Sequence, residues 1–290
     1  MTRAGAGSAG SIAWPNGARC AVAFTFDVDA ESPVLALRPD FADRMSTMSH
    51  QAYGPAVGVP RLLAMLADCQ IRSTFFVPGY TARRYPEAVA AIAAGGHEIA
   101  HHGYLHEPLT GKSPAEEADL LDQGLTALRD VAGITPIGYR APFWEANWHT
   151  PRLLAERGFL YDSSLMNSDY PYELATGGGN IVELPITWSL DDWGQYCYLP
   201  EFSGNGMIAD PAAICSLWRE DCDAMRAVGG LWILTNHPFL TGRPARTRAL
   251  RDLIGYVAED SGTWIATLGE IAQHVRGLGL APLEFTKPEL

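Results

Sequence analysis

Apolar runs short enough to be strands alternate with stretches of helical period along most of the chain. CAVAFTFDVD (20–29), STFFVPG (73–79), HEIAHH (97–102), IGYRAP (137–142), FLYDSS (159–164), IVELPIT (181–187), LWILTNH (231–237) and TWIATLGE (263–270) read as strands. Between them, VPRLLAMLADCQ (59–70), YPEAVAAIAAGG (85–96), TPRLLAERG (150–158), DPAAICSLWREDCDAMRAVGG (210–230) and RPARTRALRDLIGYVAE (243–259) read as helices. The helix over 113–133 has the plainest start: Ser113 as N-cap, Pro114 in the first turn and acids behind it. This alternation predicts seven or eight β-α units of α/β class. The two candidate architectures are an open doubly wound sheet and a (β/α) barrel, and chain length and the positions of the polar residues favour the barrel. LRPDFADRMSTMSHQAYG (37–54) reads as a long loop after the first strand, a candidate lid or oligomer contact. Residues 1–18 read as a loose lead-in and 19–290 as one catalytic domain, without repeats or low-complexity linkers.

Composition adds exclusions. The net charge of -12 argues against nucleic acid or an anionic membrane as partner. No apolar run is long enough to span a bilayer, and the first residues carry no continuous apolar core of a signal peptide, so the expectation is a cytoplasmic protein. The five cysteines form no C-x-x-C and read as free buried thiols.

The chemistry concentrates in GGHEIAHHGYLHE (95–107), where two zinc signatures overlap. His97-Glu98-x-x-His101 spells the helical peptidase motif, which needs a helix to put both imidazoles on one face. Gly95-Gly96 stops the preceding helix directly before it, and Gly103 and His106 fall at six and nine residues from His97, where the extended motif needs seven and ten. As a strand, 97–102 instead leaves His102 at its C-terminal end and His106 in the following loop, a pair spaced to reach one ion. Two imidazoles need a third ligand, commonly a carboxylate. Asp27 and Asp29 alternate at the end of the first strand and so project to one side. One can bind metal while the other stays free as a base. Other strand ends carry Arg140, His237, and Asp191, Asp192 and Trp193. Polar residues at the C-terminal ends of several barrel strands read as an active site. Trp144, Trp148, Trp188, Trp193 and Tyr196 fall near the same ends. Of these, Trp144 and Trp193, with Asp192, are candidate substrate contacts, and Trp188 is expected in the core.

The ordered set FTFDVDAE, TFFVPG, GHEIAHHGYLHE, GYRAPFW, SLDDW and ILTNHP resembles the polysaccharide deacetylase superfamily. The resemblance implies a distorted (β/α) barrel with seven or eight units and one divalent ion, usually zinc, held by Asp29, His102 and His106. It implies Asp27 as base, Arg140 as the residue holding that base, and His237 as general acid. Three features depart from the sugar-deacetylase pattern: Val28 separates the two acids, Gly103 replaces a Ser or Thr, and Trp144 follows RAPF. They are closer to the branch of intracellular peptidoglycan-deacetylase-like proteins, cyclic imide hydrolases and a metal-free allantoinase. The function expected is metal-dependent hydrolysis of a non-peptide amide, in a small cyclic imide or an N-acetylated amino sugar. The alternatives are a metal-free hydrolase or a silent carbohydrate-binding barrel. An isologous homo-oligomer is compatible with such a barrel.

Overall fold

Strand β1 (Cys20–Asp27) is buried at all eight positions, as a parallel strand covered on both faces must be. Its alternate residues enter different cores. Cys20, Val22, Phe24 and Phe26 pack outward under the helices, with Leu62, Leu66, Trp218 and Leu253. Ala21 and Ala23 pack inward with Phe76, Ala100, Tyr161, Val182 and Ile233. A computed structural model describes residues 12–204 and 207–289, and in it this alternation continues to Thr25 and Asp27 on the inner face.

Eight further strands follow: β2 (Thr74–Val77), β3 (Glu98–His101), β4 (Gly138–Tyr139), β5 (Tyr161–Asp162), β6 (Tyr172–Ala175), β7 (Asn180–Glu183), β8 (Leu231–Asn236) and β9 (Thr263–Ile265). Their order is β6-β7-β5-β4-β3-β2-β1-β8, with β9 beside the first residues of β1. All pairings are parallel except β6 with β7. The sheet curls into the expected distorted barrel, with helices outside and one end of the interior plugged by helix Leu268–Gly277. Among the described residues no ladder closes β7 onto β8. A single bridge, Asp191 to Thr235, brings the segment after β7 to the end of β8. The outer edge, β6, is met by Leu283, whose N–H donates to Glu173 O (2.7 Å) and whose carbonyl accepts from Ala175 N (3.0 Å).

Helix Pro114–Ala132 starts as expected, with a reciprocal capping box between Ser113 and Glu116. The five cysteines are free, with Cys69 only half-buried. Other expectations need correction. The segment read as a long loop is largely helical, with a helical turn at Pro39–Asp43 and helix Met45–Tyr53, and it follows directly on helix Ser32–Leu37. Phe41 anchors it, packed with Val34 and Leu199. The lead-in falls on 1–18, of which 1–11 lie outside the described residues. Residues 12–18 are not loose: Trp14 is buried against Trp264 and donates its indole N–H to Gly229 O (3.0 Å). No helix of the described residues is long and apolar enough to cross a membrane.

Candidate active site

Because the strands run parallel, their C-terminal ends meet at one mouth, and the predicted polar residues meet there. Asp27 closes β1, and Asp29 follows on the same side. The Asp29 carbonyl accepts from Ser32 Oγ (2.7 Å) and Thr81 Oγ1 (2.8 Å), which fixes the turn. His102 follows β3 directly. Residues 97–102 are therefore not a helix. His97 lies against Phe75, away from the mouth, and Glu98 accepts from Thr74 and Tyr161 at the other end of the strand. The loop to His106 turns tightly at Gly103 (φ +74), where a Cβ would sit 2.8 Å from Pro142 Cγ. A serine or threonine there would be strained and would collide with the loop carrying Phe143 and Trp144. Ala30, His106, Phe143 and Trp144 all have φ between 52° and 57°, so four non-glycine residues around the mouth hold left-handed backbone. Such residues cost on the order of 1–3 kcal/mol each, and the surrounding packing must hold them there.

Asp29 is the hub. Its Oδ1 is 3.5 Å from His102 Nε2, and its Oδ2 is 3.6 Å from His106 Nε2 and 3.5 Å from His237 Nε2. One ligand atom from each of Asp29, His102 and His106 lies within 4.8 Å of the others, close enough for all three to reach one cation. His102 Nδ1–H donates to Arg140 O (2.8 Å), which leaves the Nε2 lone pair facing Asp29. Asp29 Oδ1 is buried and has no hydrogen-bond partner. Burial pushes His102 down to about 4, and burial with the neighbouring imidazoles pushes His106 well below its usual value, so both rings are neutral donors. Burial, with the nearby acids, raises Asp29 to about 7 against the pull of His237. A buried carboxyl, an orphaned oxygen and two neutral imidazoles fit a divalent ion in chemistry as well as spacing.

Asp27 is held differently. Its Oδ1 accepts from Arg140 Nη1 at 2.8 Å and its Oδ2 from Trp144 Nε1 at 3.4 Å. Burial opposes its ionisation, but Arg140 and the imidazoles outweigh burial and hold it below the usual carboxylate range. Arg140 is buried and also donates to Thr25, Thr235 and Ser163, with its guanidinium 4.0 Å from the Phe76 ring centre. The free edge of Asp27 faces the same centre, with Oδ2 3.7 Å from His102 Nε2.

Asp192 corrects the sequence reading. It does not line the cavity as a substrate contact but lies behind His237. Its Oδ1 accepts from His237 Nδ1 (2.7 Å) and from the His237 backbone N–H (2.9 Å), and its Oδ2 accepts from Thr241. Burial works against a charge on His237, yet the bond to Asp192 and the charges of Asp192, Asp191 and Asp29 raise it to about 10. His237 thus holds a proton on Nε2, aimed at the centre. Asp191, itself buried, lines the cavity instead and N-caps residues 192–196.

The cavity above these groups has a volume of about 200 Å³, with walls of Phe143, Trp144, Trp188 and Trp193. Trp144 and Trp193, candidate substrate contacts from the sequence, both line it. Trp188 is not in the core: it is 55% exposed and stacks on Trp144 (5.0 Å between ring centres, 19°). Behind that pair lies a wider groove of about 470 Å³, flanked by Trp148 and Phe285.

Known proteins resemble the chain in sequence and in fold. The family described as polysaccharide deacetylase matches residues 52–161. A peptidoglycan deacetylase from Helicobacter pylori is 28% identical over 277 residues, spanning 87% of this chain and 94% of that protein. A crystal structure from Mycobacterium smegmatis, classed with the polysaccharide deacetylases, is 60% identical, with TM-score 0.96 over 97% of this chain and 98% of that one. The crystal structure of Puue allantoinase is 25% identical, with TM-score 0.78 over 91% and 93% of the two chains.

Proposed function

The chain belongs to the polysaccharide deacetylase superfamily, and from that premise we propose that it is a metal-dependent hydrolase of non-peptide amide bonds. The observation that carries the reading is the convergence of Asp29, His102 and His106, one ligand atom from each within 4.8 Å of the others. A zinc ion bound there would polarise the acyl carbonyl and lower the pKa of the attacking water.

The chain's own residues do the rest. Asp27, kept ionised by Arg140, accepts the water's proton on the oxygen facing the centre. His237 enters protonated and gives its Nε2 proton to the leaving nitrogen, while Asp192 fixes the Nδ1–H and so the ring's orientation. The aromatic walls exclude bulk water and grip a flat group. A cavity of about 200 Å³ is smaller than the usual drug-sized pocket of roughly 300–1,000 Å³. It favours a single small ring or an acetamido group, so a cyclic imide or a short N-acetylated amino sugar is the substrate class.

The test is metal analysis of the purified protein with a panel of succinimide-type rings, allantoin and N-acetylated sugars, assayed before and after chelation. One stoichiometric ion and chelator-sensitive turnover are expected. Turnover that survives complete metal removal would mark a metal-free ureide hydrolase, and sugar binding without turnover a silent barrel.

A further inference from the structure

Beneath the mouth, two acids that the reaction does not use are buried side by side. Asp162 ends β5 and Glu183 ends β7, in register with each other and both fully buried. Asp162 Oδ1 accepts from Ser163 N (2.8 Å) and Ser164 Oγ (2.6 Å). Glu183 Oε1 accepts from Ser164 N (3.2 Å) and Leu165 N (2.9 Å). Three successive backbone N–H groups and one hydroxyl are thereby pinned by two carboxyls. The remaining oxygens, Asp162 Oδ2 and Glu183 Oε2, have no other hydrogen-bond partner, and no salt bridge is formed by either acid among the described residues.

The bend they pin is the seat of Arg140. Ser163 O accepts from Arg140 Nε (3.2 Å), Ser163 Oγ accepts from Nη2 (3.3 Å), and Ser164 Oγ accepts from the backbone N–H of Ala141 (2.9 Å). Arg140 in turn holds Asp27 at 2.8 Å. The path from the acid pair to the base is thus continuous through hydrogen bonds. Two adjacent buried carboxyls are costly where a plain bend needs neither, since burial disfavours a charge on each.

We propose that Asp162 and Glu183 form a positioning pair, sharing one proton, that sets the placement of Arg140 and through it the aim of Asp27. The proposal rests on Asp27 being the base. Glu183 carries the proton and donates to Asp162, which keeps both Asp162 oxygens as acceptors. Burial and the charge of Asp162 push Glu183 well above its usual value, in keeping with that assignment.

The experiment compares Asp162→Asn, Glu183→Gln and Asp27→Asn in the zinc-loaded enzyme, with metal content, KM and kcat measured for each. Asp162→Asn puts a donor where an acceptor is needed and should lower kcat about 10–100-fold, the range for outer residues that orient a site. KM and zinc content should stay within about twofold, and Asp162→Glu should recover part of the loss. Glu183→Gln keeps the donor and should retain kcat within about threefold. If Asp162→Asn does not fold, Ser164→Ala carries the test, with a smaller fall in kcat at unchanged zinc content. Unchanged kcat in Asp162→Asn, or in Ser164→Ala where Asp162→Asn does not fold, while Asp27→Asn is inactive overturns the positioning pair and leaves the proposed function standing. An Asp27→Asn enzyme as active as the parent overturns the function reading itself. Loss of zinc in parallel with kcat would show a merely structural role and also overturn the pair.

Discussion

Two buried pairs of acids, Asp27 with Asp29 and Asp162 with Glu183, have the same chemistry and different partners. Burial acts on all four in one direction, against charge. Only Asp27 has a guanidinium hydrogen-bonded to it, and only Asp27 ends below the usual carboxylate range; His237 also faces Asp29, at 3.5 Å, without outweighing burial and the nearby acids. Asp29 is surrounded by imidazoles and further acids and rises to about 7; Asp162 rises to about 6 among serine and backbone donors. The proposed roles follow this difference: Asp27, kept ionised by Arg140, as base; Asp29, among the imidazoles, as ligand; and Asp162 with Glu183 as a pair sharing a proton.

The largest break in this comparison is removal of the ligand corner. His106→Ala should abolish zinc binding and turnover together, read by metal analysis and kcat, while Asp162 and its neighbours are untouched. Next is Arg140→Met, which removes the guanidinium that holds Asp27 ionised. A stability loss of about 3–5 kcal/mol is expected from chemical denaturation, the range for breaking a buried ion pair. The smallest effect sharpens the other pair. Glu183 has a folded pKa well above its unfolded value, so its contribution is complete below about 4.5 and is lost as pH rises through the folded pKa. Melting temperature should therefore fall more steeply as pH rises above about 4.5 in the parent than in Glu183→Gln. Each tenfold gain in proton affinity on folding adds about 1.4 kcal/mol to that difference. Equal slopes would mean that Glu183 is ionised in the folded protein.

Much of this is readable from local pattern. β1, β2 and β8 are continuous apolar runs, and the His102–His106 spacing and the glycines around it point away from a helix without reference to the rest of the chain. What escapes depends on distance. Asp192 meets His237 across 45 residues of sequence, and only the bridge between Asp191 and Thr235 shows that the open seam of the sheet brings them together. The adjacent acids look alike as substrate contacts because neither sequence position says which faces inward. Asp162 and Glu183 are hidden in two short strands whose register with each other no local pattern shows. The segment 37–54 carries few apolar residues, with Phe41 its buried anchor, so its helices show no apolar period, and β6 is a short strand of four residues.

The strand that meets Leu283 is the sheet's outermost. Left bare, its row of N–H and C=O groups would offer a template to any extended peptide, including the same strand of another molecule. By covering that row from its own sequence, the chain blocks the simplest route to open-ended stacking of its copies, and the cover lies on the flank away from β8.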